Sequence, residues 1–158
     1  MFGWLKKESN SHNEPAVVND TAVATVFQIG DVLGDQTVFA GEVNGKKIYV
    51  APQNAQYADG TNLTMTFSEA ADYAKKLNAE NYLGHNDWHI PTREELNVLH
   101  ENKDKGALKN AFNLTGSGTA GYFWSSTPGD KGTYALRFSD GRENYIYRSL
   151  RSSVRCVR

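Results

Sequence analysis

The sequence predicts an α+β domain, two helices packed on antiparallel strands, and three local signals predict it. Asn44-Gly45 separates two strand-like runs, Val38 to Val43 and Lys46 to Ala51, and an Asn-Gly pair so placed favours a tight hairpin. Thr66-Phe67-Ser68-Glu69 and Thr92-Arg93-Glu94-Glu95 both fit a capping box: the threonine accepts from an orphan amide and the glutamate reaches back to the cap. Downstream, short strand-like runs return, with Asp140-Gly141 as a second hairpin turn between two of them.

In chain order, residues 1–24 read as a flexible N-terminal tether and residues 25–158 as the folded domain. The stretch Glu8-Ser9-Asn10-Ser11-His12-Asn13-Glu14-Pro15 is too polar to offset its own ordering entropy. Phe2, Trp4 and Leu5 beside Lys6 and Lys7 either fray or dock on a partner or lipid surface. The first helix carries Phe67, Ala70, Ala71, Ala74 and Leu77 on one stripe, and the second turns Leu96 and Leu99 inward. Pro91 suits an extended entry to that second helix. Lys109 to Leu114 is expected to make a short helical turn, and Gly116-Ser117-Gly118 a loop. Four strands are expected after it: Phe123 to Ser126, Thr133 to Phe138, Arg142 to Tyr147 and Ser153 to Val157.

A chain of 158 residues holds one domain with a real core and is short for two. Its net charge of −1 offers no global field, so no nucleic-acid partner is expected. Charge is nevertheless uneven: Arg137, Arg142, Arg148, Arg151, Arg155 and Arg158 fall in the last 22 residues, against only Asp140 and Glu143, which points to a local basic face. The single cysteine, Cys156, cannot form an intrachain disulfide or a cysteine-rich metal site, and this favours a reducing place of synthesis. Met1-Phe2-Gly3-Trp4-Leu5-Lys6-Lys7 is followed by no apolar run of signal-peptide length, and no transmembrane segment is expected. The expectation is cytoplasmic synthesis without a secretory signal peptide, ending in a virion or particle or exported by a non-classical route.

The block from Trp88 to Leu96 is explained by structure, since an indole buries a large apolar area and Thr92 caps a helix. In Phe123-Trp124-Ser125-Ser126-Thr127, alternation sends Phe123 and Ser125 to one face and Trp124 and Ser126 to the other, with one ring entering the core. His85, Asp87 and His89 have the alternating spacing of donors, but no cysteine or second histidine cluster completes a coordination sphere. No metal site and no cofactor are expected. Ser125 and Ser126 lack an identifiable base, and neither a Gly-x-Ser-x-Gly elbow nor a phosphate-cradling glycine loop occurs. No catalytic residue is assigned, and the chain is not expected to be an enzyme. The segment Ser139 to Ser153 is the best candidate for a working surface. It interleaves Arg142, Asn144, Tyr145, Tyr147, Arg148 and Arg151 with small polar residues. Tyrosine supplies rigid amphipathic area and arginine a planar donor fork, the composition of recognition surfaces. An ordinary solvated strand face is the other reading.

Three blocks together carry a family resemblance: Trp88-His89-Ile90-Pro91-Thr92-Arg93-Glu94-Glu95-Leu96, then Phe123-Trp124-Ser125-Ser126-Thr127, then Val154-Arg155-Cys156-Val157-Arg158. In this order they resemble the bacterial and phage family of the Legionella collagen-like protein C-terminal domain. That family's usual pattern has an arginine where His89 stands; if the arginine pairs with a carboxylate, a histidine makes the pair pH-sensitive. The resemblance implies a C-type-lectin-like fold used for display or adhesion. It also implies sulfated glycan as a ligand class, because the Legionella member is an adhesin for such polymers. The Glu-Pro-Asn or Gln-Pro-Asp calcium motif of sugar-binding lectins is missing from this domain, so calcium-dependent sugar recognition is not expected. The formylglycine-generating enzymes are similar in fold class and terminal Arg-Cys-Val, but their chemistry needs paired cysteines and Cys156 stands alone. In related C-type-lectin-like proteins the ligand-contacting residues lie just before the terminal strand, a position similar to Ser139 to Ser153. The expectation is a non-catalytic recognition or adhesion module for an anionic glycan or protein ligand. The alternative is a structural component of a phage tail or injection particle, with homo-oligomer or particle assembly.

Overall fold

The computed structural model describes residues 24–55 and 63–158; the expected tether, with Phe2, Trp4 and Leu5, lies outside them except for residue 24. The first hairpin joins Val38–Val43 (β1) to Lys46–Val50 (β2). Asn44 and Gly45 take φ of 50° and 77°, the left-handed pair that a type I′ turn requires. A register shift at Phe39/Gly41 bends β1. Gly41, at φ 128°, sits where a Cβ would fall 2.8 Å from a methyl of Val98. The missing side chain is what lets the second helix approach the strand.

Both helices start where the capping boxes place them. Phe67–Ala79 (α1) is capped by Thr66 with Glu69, and Arg93–Glu101 (α2) by Thr92 with Glu95. Ala70, Ala74 and Leu77 of the α1 stripe are buried, as are Leu96 and Leu99 of α2. The remaining strands, Tyr122–Pro128 (β3), Thr133–Arg137 (β4) and Glu143–Ile146 (β5), form a sheet in the order β3-β4-β5. The domain is thus mixed α and β, with two α-helices and two small antiparallel sheets among the described residues.

Two apolar clusters make the core, and β3 divides them. Trp124 enters one with Leu77, Trp88, Ile146 and Val154; Phe123 enters the other with Ile48, Leu96, Phe138 and Val157. Alternation holds, but the expectation that one ring is buried is corrected: both faces of β3 are covered, so both rings are fully buried. Ser125, also buried, donates its hydroxyl to the Tyr134 carbonyl at 2.7 Å.

Two further expectations are corrected. Helical structure falls on Gly106–Leu108, not on Lys109 to Leu114, because Leu108 plugs the second cluster and the Ala107 amide donates to the Gly30 carbonyl at 2.9 Å. Ser153 to Val157 is no ladder strand. Its neighbour Ser152 exchanges both backbone bonds with Met65; Ser153 then bonds Tyr122 and Trp124, Val157 exchanges both with His89, and Arg158 both with Tyr49. The segment runs along the seam between the two sheets, and residues 49–55 run antiparallel beside its second half, where the Ala55 amide donates to the Val154 carbonyl at 3.2 Å and the Ala51 amide to the Cys156 carbonyl at 3.4 Å. Residues 152–157 are all buried there.

Candidate ligand-binding face

The turn joining β3 to β4 holds Gly129, Asp130, Lys131 and Gly132, closed by the Gly129 amide donating to the Gly132 carbonyl at 2.8 Å. β5 lies hard against it. A Cβ on Gly129 would stand 2.3 Å from the Tyr145 ring, and one on Gly132 would stand 2.4 Å from the Ile146 carbonyl. Two shallow clefts flank this turn. One, of about 450 Å³, is bounded by Pro128, Asp130, Lys131 and Tyr145. The other, of about 360 Å³, runs from the same turn to Arg148.

All six candidate residues from the sequence are exposed, yet the fold does not make them one site. Tyr145 and Arg148 meet the turn. Tyr145 packs edge-on against Tyr134, with centroids 5.8 Å apart. Arg148 is held by groups without charge: its Nε donates to Thr133 Oγ1 at 2.9 Å, and its guanidinium lies 4.9 Å over the Phe67 ring. It makes no ion pair among the described residues. Tyr147, 61% exposed, follows on the same rim. Arg142 stands at the far end of β5, about 20 Å from Arg148 at strand rise. Asn144 turns its Oδ1 back to accept from the Tyr145 amide at 2.9 Å. Arg151 is committed elsewhere, bonding Glu69 at 3.1 Å and the Thr64 carbonyl at 2.8 Å, where it ties the chain to the cap of α1.

The other C-terminal arginines are structural too. Arg137 grips Asp140, whose carboxyl the guanidinium hydrogen bond holds far below the usual range. Arg158 bonds Asp87 at 3.0 Å. Arg155 is buried, donating to Ala51 O, Asn54 Oδ1 and Ala111 O while stacking 4.8 Å from Phe112. Burial takes its guanidinium down to about 10. The basic block of the sequence therefore resolves into different tasks: Arg142, Arg148 and Arg155 make no ion pair within the described residues, and of these Arg155 is buried while Arg142 and Arg148 are exposed.

His85, Asp87 and His89 do not converge. His85 meets Asp35 at 2.6 Å, Asp87 meets Arg158, and His89 meets Glu95 at 3.1 Å. Burial raises the Asp35 carboxyl, but hydrogen bonds from Thr37 and His85 outweigh it and take the group down to about 2. Among the described residues, no three His, Cys, Asp or Glu side chains gather as metal ligands. Cys156 is 2% exposed and burial pushes its thiol up to about 12, so it behaves as the small buried hydrophobe its position suggests. A further cleft of about 320 Å³ lies between the β1–β2 turn and the start of α2, with Lys46 and Glu94 on its rim.

Lys131 and its flanking glycines were not among the sequence candidates. The signal was present as Pro128-Gly129-Asp130-Lys131-Gly132 between two strand-like runs, a turn whose exposed tip carries a cation.

A mixed α/β domain whose own C-terminal segment closes the seam between two sheets, beside a shallow cleft of aromatic and charged residues, defines the class. The chain belongs to the Lcl C-terminal domain family, that of the Legionella collagen-like protein, whose model matches residues 40–158. The match begins within β1 and spans the rest of both sheets, both helices and the candidate face. No curated protein matches the sequence. No helix among the described residues is long and apolar enough to cross a membrane.

Proposed function

We propose that this domain is a non-catalytic recognition module of C-type-lectin-like architecture, adhesive in role, which binds an anionic glycan or protein ligand at the β3–β4 turn. One observation carries the reading: Arg148 is a positioned guanidinium that makes no ion pair among the described residues, beside Lys131 and the exposed ring of Tyr145, so that two cations face the single carboxylate of Asp130 in these clefts. Thr133 and Phe67 already hold the arginine side chain, so little rotamer freedom remains to be lost when a ligand arrives. The remaining guanidinium donors match a carboxylate or sulfate in bidentate fashion. Lys131 adds a mobile second charge, and Tyr145 gives a flat apolar surface for a ring or aliphatic stem. Family membership supports an adhesive role; the ligand chemistry rests on the cleft.

The test is binding of the intact chain to sulfated, carboxylated and neutral glycans at low and physiological salt. Binding to the anionic set should weaken with salt, as expected of exposed charges. Arg148→Ala should lower affinity by roughly tenfold or more, the worth of a charged hydrogen bond. Arg151→Ala, whose charge Glu69 already answers, should leave affinity nearly unchanged. Equal binding by wild type and Arg148→Ala would overturn this placement of the site.

A further inference from the structure

β5 is the outer strand of its sheet, paired with β4 on one side and with no described residue on the other. Its pairing phase shows which backbone groups face out. The Arg142 carbonyl accepts from the Arg137 amide at 2.9 Å, so Asn144 and Ile146 continue the ladder toward β4. Glu143 and Tyr145 therefore turn their N–H and C=O groups to the open side. The Tyr145 amide agrees, since it finds only the neighbouring Asn144 side chain as acceptor. Glu143, Asn144 and Tyr145 are all exposed, and no described residue pairs with this edge.

We propose that the β5 edge is a docking site for an extended acidic polypeptide segment, which adds as a fourth strand to the β3-β4-β5 sheet. The proposal rests on the anionic-ligand reading above and names the partner of that same face. Two observations select the occupant. An open edge offers donors and acceptors at strand spacing, a pattern that a peptide backbone matches and a polysaccharide does not. The charges near the edge then select acidity. Arg142 at one end, Arg148 at the other and Lys131 on the adjoining turn make no ion pair among the described residues; Glu143 is answered by Arg93 at 2.9 Å, and Asp130 beside Lys131 offsets one of the three cations, which leaves the edge positive.

The same charges disfavour a second copy of this chain. In a two-fold antiparallel pairing centred on Tyr145, Arg142 of each strand would stand opposite Arg148 of the other. Charged residues flanking an edge strand keep a chain from pairing with itself and leave it open to a partner of opposite sign. Asn144 adds a latch: its side chain occupies the Tyr145 amide until an incoming carbonyl replaces it.

The test uses the full chain and a fluorescent octapeptide alternating glutamate and valine. Its comparators are the same peptide N-methylated on every amide, and dextran sulfate, a polyanion without a peptide backbone. The plain peptide should bind, and N-methylation should cost roughly tenfold or more in affinity, because it removes the ladder while keeping the charge. Tyr145→Pro should bind more weakly than Tyr145→Ala. Both lack the ring, but only proline lacks the outward amide, and an edge position tolerates it. Equal binding of the plain and methylated peptides, with dextran sulfate competing as well as either, would overturn strand addition and leave the anionic-ligand reading intact. Failure of all three probes to bind would sink both. A dimer in sedimentation that Tyr145→Pro abolishes would also overturn the proposal, by showing that the edge is filled by a second copy.

Discussion

Glu95 serves two partners at once, accepting from the Thr92 amide at the start of α2 and from His89 Nε2 at 3.1 Å. The hydrogen bond that His89 donates to Glu95 raises the imidazole above its ordinary 6.5, with burial opposing it. Burial acts to raise the Glu95 carboxyl, but His89 and the Thr92 amide outweigh it and hold the group below 4.5. The histidine's contribution to stability is therefore complete below pH 6.5 and is lost as pH rises through its elevated folded value. The carboxylate's contribution is complete above pH 4.5 and is lost as pH falls through its lowered value. Both are fully present only between about pH 4.5 and 6.5. His89→Arg, which fixes the charge, should match wild type in Tm near pH 5.5 and exceed it near pH 8. Parallel Tm curves across that interval would show that the pair adds nothing. Arg155 makes the opposite case, a charge buried for its donors. Lysine could not reach Ala51 O, Asn54 Oδ1 and Ala111 O together, nor lie flat on Phe112. Arg155→Lys should cost about 3 kcal/mol in urea denaturation, the scale of buried acceptors left unmet.

At the scale of elements, local chemistry accounts for most of what the sequence made legible. Thr66 and Thr92 name their own helices because a capping box is complete within four residues, and Asn44-Gly45 names its hairpin because the turn's backbone angles suit few other pairs. Thr66→Ala should accordingly destabilise the domain by about 1 kcal/mol, measured by denaturant unfolding. Contacts between distant segments were not legible. Gly30 and Gly106 touch backbone to backbone: a Cβ on Gly30, at φ 94°, would lie 2.5 Å from the Lys105 carbonyl oxygen. That approach fixes the helical turn at Gly106–Leu108, and nothing near Lys109 to Leu114 in sequence announces it. Gly30→Ala should cost about 2 kcal/mol or more, since both the φ and the contact must give way. The candidate site follows the same division. Arginine and tyrosine content pointed to the stretch of chain that holds Tyr145 and Arg148, but which arginines are left without an ion pair depended on Glu69, 82 residues before Arg151, and how Arg148 is held on Thr133, 15 before it.

For the whole molecule the decisive segment is 152–158, because it bonds in turn to the residue leading into α1, to β3, to His89 before α2 and to β2. Val154 and Cys156 belong to the cluster around Trp124, and Val157 to the cluster around Phe123. The two cores are therefore held to one chain segment and should lose their order together. Burying each valine is worth about 1.5–3 kcal/mol. With the bridging hydrogen bonds, the segment supplies an amount comparable to the net stability of a whole domain, about 5–15 kcal/mol. A chain ending at Arg151 should show no cooperative thermal transition, although β1, β2 and both capping boxes would be present in its sequence. In the intact chain carrying Trp4→Phe, tryptophan fluorescence reports the cluster holding Trp88 and Trp124, while far-UV circular dichroism reports helices and sheets on both sides of β3. The two signals should give one coincident unfolding curve. A truncated chain that kept a sigmoidal transition in circular dichroism but lost the fluorescence change would mean that β1, β2 and α2 fold as a separate unit, and that the segment joins two bodies instead of completing one.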